Sequence, residues 1–174
     1  MKKIIFCISL LISVCSFAKA TPLPVASDVD VARFIGKWYT ITSLPQFFTR
    51  NCVGQTAEYA IINEKSISVH NVCYKENGKT KDINGLGVIQ DAPNNARLII
   101  TFDTFWTRLF RVKGDYNIIK LGDGYDTVMV GSNDRKSLWI MSRTPMMDPA
   151  ILLNYKAQAK GLGFSTEQLR NAKY

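Results

Sequence analysis

From Lys37 onward the chain is cut into short β-rich runs by turn chemistry, and this spacing constrains the fold more than any other feature. Strands are expected at 38–44, 53–62, 66–74, 83–90, 97–102, 115–121, 126–131 and 137–143. The breaks between them are Asn63-Glu64-Lys65, Asn77-Gly78, the run 91–95 around Pro93, Gly122-Asp123-Gly124 and Ser132-Asn133-Asp134. Such residues tolerate positive φ or bond their own backbone, so they reverse a chain at low cost. After Thr144-Pro145 the period changes. Asp148 can cap a helix with Pro149 in its first turn, and Ile151, Leu152, Tyr155 and Ala159 then share a face. Gly161 and Gly163 end it. Shorter helical turns are expected within 28–35 and after Ser165, while 21–27, with Pro22 and Pro24, reads as a loose leader. Eight sequential strands and one late helix predict an all-β fold, an eight-stranded up-and-down antiparallel barrel with the C-terminal α-helix packed outside. Closure of that kind removes edge strands. A β-sandwich without a cavity fits the same spacing.

The first twenty residues read as a secretory signal. Lys2 and Lys3 precede an apolar run, and Ala18-Lys19-Ala20 offers a small-x-small cleavage pattern. Cleavage there leaves residues 21–174 as a single domain. The alternative is lipid attachment at Cys15, with Val14 in a position that usually holds a smaller residue. Either route exports the chain, to the periplasm, to association with an outer membrane, or out of the cell. Export leaves Cys52 and Cys73 in an oxidising compartment, where a disulfide is expected. With His70 as the only histidine, a Cys/His metal site is not expected, and neither is any cofactor. Beyond Ala20 the chain carries nineteen basic against fourteen acidic side chains. That excess suits weak attraction to anionic headgroups and is too thin for nucleic acid.

Three blocks in order then carry a family resemblance. Gly36-Lys37-Trp38-Tyr39 resembles the Gly-x-Trp signature of the lipocalins. Gly122-Asp123-Gly124-Tyr125 is similar to their second block, and Leu138-Trp139-Ile140-Met141-Ser142-Arg143-Thr144-Pro145 to their third. The likeness runs from about Val31 to Phe164 and is strongest toward the bacterial (Blc) type, with apolipoprotein D also similar. It implies a barrel closed at one end and open at the other, with a small apolar ligand inside. Gly36, Trp38 and Arg143 are then expected at the closed floor, the guanidinium over the indole. Period 2 along the strands assigns the lining. Ala57, Tyr59 and Ile61 face inward on the second strand, and Val69 and Asn71 on the third. Ile100 and Phe102, then Trp139 and Met141, follow on later strands. Tyr116 and Asn117 are both candidates, because their strand is apolar on both faces. His70 faces outward.

At the open end, Phe47, Phe48 and Arg50 lie in one connection, and Phe105, Trp106, Arg108, Phe110 and Arg111 in another. Aromatics mixed with cations suit an anionic membrane surface. Folding back as a lid over the pocket is the equal alternative. The function expected is binding, storage or transport of a lipid-like amphiphile, a fatty acid or lysophospholipid, for envelope lipid maintenance, by a monomer or weak dimer. One histidine and paired cysteines supply no nucleophilic set, so an enzyme is not expected. A lipid-modifying enzyme and a partner-protein module on the same barrel are the competing readings.

Overall fold

The computed structural model describes residues 21–103 and 113–174. The signal segment with Cys15, and Phe105, Trp106, Arg108, Phe110 and Arg111 of the second mouth connection, lie outside the described residues.

Eight strands follow one another around a closed antiparallel barrel. They are β1 (Gly36–Ser43), β2 (Gly54–Asn63), β3 (Ser66–Tyr74), β4 (Thr80–Ile89), β5 (Arg97–Phe102), β6 (Gly114–Leu121), β7 (Thr127–Gly131) and β8 (Leu138–Ser142). Each pairs with its successor, and β8 returns to β1. This closure rules out the sandwich. The expected strands are all present, with edges shifted by up to three residues. The largest shift is at β4, which begins at Thr80 because Thr80, Lys81 and Asp82 continue the ladder opposite Tyr74, Cys73 and Val72. Their polar side chains hid that extension, since backbone pairing does not require an apolar pattern.

Packing explains why β7 and β8 lack a clean alternation. All five residues of β7 are buried. Val128 and Val130 join the cluster inside the barrel, whereas Met129 joins a second cluster outside it. On β8, Met141 goes inward and Leu138 and Ile140 outward. The outer cluster is covered by helix α2 (Pro149–Gly161) through Tyr155 and Ala159. Asp148 caps that helix, accepting from the Ala150 and Ile151 N–H groups. Ile151, expected on the buried face, is 39% exposed, so the contact stripe runs through Leu152, Tyr155 and Ala159 instead.

Two stretches are more ordered than their composition suggested. The leader is not loose: Leu23 is buried in the outer cluster, its N–H bonds Asn133 Oδ1, and Arg97 donates to its carbonyl. The chain then crosses the closed end through Val29 to a short helix, α1 (Val31–Phe34), capped by Asp30. At the other extreme, residues 170–174 form an element with no sequence signal. Strand β9 (Arg170–Asn171) pairs with Thr42 and Ser43 of β1. β1 and β2 pair only between Gly36–Tyr39 and Thr56–Tyr59. Beyond Tyr39 the C-terminal strand fills the seam. Ala172 N–H donates to the Ile41 carbonyl and Lys173 N–H to that of Val53. The Tyr174 hydroxyl lies within reach of the Thr40 and Gln55 carbonyls, and its ring sits edge-on to Tyr39 and Tyr74.

Candidate functional site

The two ends of the barrel are built differently. At the closed end, the Phe34 carbonyl accepts from Trp38 Nε1 at 2.9 Å, and Trp38 is fully buried. The Arg143 guanidinium carbon stands 3.8 Å from the Trp38 ring centroid. Its nitrogens donate to the carbonyls of Tyr125, Lys37, Arg33 and Phe34 at 2.8–3.1 Å. One planar fork thus ties the turn between β6 and β7, β1 and α1 together. Burial pulls its pKa down, yet a guanidinium keeps its charge. Gly36 takes φ +92°, in the left-handed region, and an added Cβ there would lie 3.4 Å from Arg143 Nη1. Glycine lets the chain turn from α1 into β1 beneath that fork. Gly36, Trp38 and Arg143 are therefore brought together at the floor.

Above the floor the interior is aromatic, then aliphatic. Phe34 stacks on Tyr59 with ring centroids 5.5 Å apart. The hydroxyls of Tyr59 and Tyr116 are 2.9 Å apart, across the barrel from β2 to β6. Burial pushes the Tyr59 phenol up to about 12, with the Tyr116 hydrogen bond opposing. Burial, then the neighbouring Tyr59, raises Tyr116 well above its ordinary value. Both stay neutral phenols, as expected where water is scarce and an anion is poorly solvated. Val69 lies opposite Tyr59, and Asn71 stands two residues further toward the mouth on the same face. Ile100 and Phe102 lie opposite Gly87 and Gly85. A Cβ at Gly87 would come within 2.9 Å of Ile100 Cδ1, so glycine makes room for these side chains. Met141 is buried in the same cluster, with Trp139 packed against it.

Asn71 differs from everything around it. Its Oδ1 is buried with no hydrogen-bond partner. Buried carboxamides are nearly always paired, and leaving an acceptor empty costs on the order of 1–3 kcal/mol.

One inward assignment does not hold, and one inward-facing residue lies too near its strand's end to be buried. Asn117 is buried but lies on the outer face, in register with Arg97, while Tyr116 is in register with the inward Leu98. Asn117 accepts from Arg97 Nη1 and donates to the Gly131 carbonyl, which fixes the leader's anchor to the sheet. Ile61 keeps the face of Tyr59, in register with the buried Ile67, but at the end of β2 it is 49% exposed and does not line the interior. His70 stands on the outer wall, 3.4 Å from Asp82. Thr40 and Ser43 of β1, in register with Met141 and Trp139, add buried hydroxyls to the inner face. Ser43 was concealed by a bulge between Thr40 and Thr42, whereas Thr40 follows Trp38 by plain alternation.

At the open end, a disulfide joins Cys52, just before β2, to Cys73 on β3, with Cα atoms 5.3 Å apart. Beside it a short helical turn, Phe47–Thr49, carries Phe47 and Phe48 at 80% and 65% exposure. The Arg50 guanidinium lies over the Phe47 ring at 4.7 Å. Two large aromatics therefore project from the rim with a cation beside them.

A family model for a lipocalin-like domain matches residues 29–174. The outer membrane lipoprotein Blc of Vibrio cholerae is 30% identical over 146 residues, covering 82% of this chain and 81% of the relative. Apolipoprotein D of Bos taurus is 25% identical, covering 72% and 67%. Among solved structures, insecticyanin from the tobacco hornworm Manduca sexta superposes with a TM-score of 0.65 over 90% of this chain and 86% of that one, at 16% identity.

Proposed function

The chain belongs to the lipocalin-like family, whose members bind small hydrophobic ligands, and we propose that it binds, stores or transports a lipid-like amphiphile inside its barrel. The observation that carries this reading is the unpartnered Asn71 Oδ1 in an interior whose side chains are mostly apolar. A core evolved only to be solid would gain by placing an aliphatic side chain there. Fatty acids and lysophospholipids have the right shape, a long apolar tail with one polar group. The interior as described comprises Tyr59, Val69, Asn71, Ile100, Phe102, Tyr116, Trp139 and Met141. A carrier is favoured over a catalyst because the only histidine faces away from it and both cysteines at the mouth are oxidised.

Phe47, Phe48 and Arg50 support a second element of the reading, docking of the mouth on an anionic membrane. Exchange with a bilayer would spare a lipid the passage through water. The names of the Blc relatives, outer membrane lipoproteins, fit an exported protein working on envelope lipids.

Extraction of the purified protein with organic solvent, followed by mass spectrometry, tests the reading. A stoichiometric amphiphile that rebinds the stripped protein is the expected result. No bound lipid, together with no uptake of fatty acid or lysophospholipid, would overturn it in favour of a partner-binding module.

A further inference from the structure

We infer that the barrel interior reads an uncharged, hydroxyl-bearing lipid through Asn71 and discriminates against a free carboxylate; this rests on the carrier reading above. The buried Oδ1 lacks a donor, and neither a carboxylate nor a bare alkyl chain can supply one. A hydroxyl supplies the donor and also accepts, so it satisfies the amide in either orientation of its oxygen and nitrogen.

The electrostatics of the wall point the same way. Among the described residues, the cations nearest the interior stand at its two ends. Arg143 lies beneath the floor with its donors directed to four carbonyls. Arg50 and Lys81 are exposed at the rim. The cluster that fills the barrel is otherwise aliphatic and aromatic, with the Tyr59–Tyr116 pair and the neutral hydroxyls of Thr40 and Ser43 as its polar components. A carboxylate drawn to the level of Asn71 would be desolvated with no counter-ion among the described residues, and it offers no donor to the Oδ1 acceptor. Burial of that kind is strongly unfavourable. A hydroxyl at the same place loses much less hydration and gains the missing bond. Where a ligand also bears a charged group, that group belongs at the rim.

The test compares three probes of equal chain length on the delipidated full-length exported protein: 1-dodecanol, dodecanoate and dodecane. Affinities are read by displacement of an apolar fluorophore and by calorimetry, at mildly alkaline pH so that the acid is ionised. Dodecanol is expected to bind at least about tenfold more tightly than dodecanoate, the equivalent of one net hydrogen bond. Asn71→Leu is expected to weaken dodecanol about tenfold while dodecane binds as well or better. Dodecanoate binding as tightly as dodecanol in the unmodified protein would overturn the inference. So would an Asn71→Leu protein that keeps the alcohol's advantage over dodecane. If Asn71→Leu fails to fold, the alcohol-to-acid ratio of the unmodified protein decides alone. Failure of all three probes to displace the fluorophore would remove the carrier reading itself, a distinct outcome from binding without discrimination.

Discussion

The closed and open ends of this barrel use similar residues for opposite purposes. Both pair an arginine with an aromatic ring, Arg143 with Trp38 at 3.8 Å and Arg50 with Phe47 at 4.7 Å. At the floor the ring is fully buried and the guanidinium is bonded to four carbonyls. At the mouth the ring is 80% exposed. The first arrangement fixes geometry. The second leaves apolar surface in water, which folding alone gives no reason to do. Composition therefore does not separate a structural cation–π pair from an interfacial one; the number of backbone groups tied to the cation does.

That contrast can be broken most easily at the floor. Trp38→Ala should destabilise the fold by about 3–5 kcal/mol, read from denaturant unfolding, since it opens a cavity and strips the guanidinium of its ring. A loss below about 1 kcal/mol would mean that the floor is not the anchor. Removing the mouth's covalent tie, Cys52→Ala with Cys73→Ala, should cost about 3 kcal/mol for a separation of 21 residues. Hydrogen exchange should then accelerate around the connection between β1 and β2 and leave α1 protected.

A smaller effect concerns the aromatic layer between the two ends. The Tyr59 phenol is raised from 10 to about 12 in the fold, so above pH 10 the unfolded chain loses a proton that the folded chain keeps. Its contribution to stability is complete below pH 10 and is lost as pH rises toward about 12. Unfolding across that window should show the decline, and Tyr59→Phe should lessen it, the raised phenols of Tyr116, Tyr155 and Tyr174 supplying the rest. The smallest change in stability is expected for Phe47→Ser with Phe48→Ser, within about 0.5 kcal/mol. Flotation with anionic vesicles should nevertheless drop sharply, with affinity for soluble ligand unchanged. Undiminished flotation would show that the rim aromatics do not dock.

Much of the architecture was legible because turns and caps are local. Asn63-Glu64-Lys65, Gly122-Asp123-Gly124 and the Asp148-Pro149 helix start all operate over a few residues, and each falls where its chemistry places it. Failures arose where a distant element decides the answer. Tyr116 and Asn117 are both compatible with an interior strand, and only pairing with Leu98 and Arg97 separates them. Leu23 looks like part of a loose leader between two prolines until β6, β7 and α2 exist to cover it. Arg170 and Asn171 have no strand propensity, and their extended form is imposed by the open edge of β1. Within the site, Tyr59, Val69, Ile100 and Phe102 followed from simple alternation, whereas Ser43 was hidden by a bulge that shifts the period. The empty valence of Asn71 has no counterpart in sequence, because it concerns what the neighbours fail to provide.

The seam between β1 and β2 has a consequence for how the molecule comes into being. Residues 40–43 and 53–55 are made early, yet the strand that joins them comprises residues 170–174. A nascent chain can assemble the hairpins from β2 to β8 as they emerge, but the wall stays slit until translation has passed residue 170. Contacts that span about 130 positions close late and slowly, by the general relation between contact separation and folding rate. During that interval β1 and β2 hold together only between Gly36–Tyr39 and Thr56–Tyr59, and the seam beyond Tyr39 stands open toward the mouth.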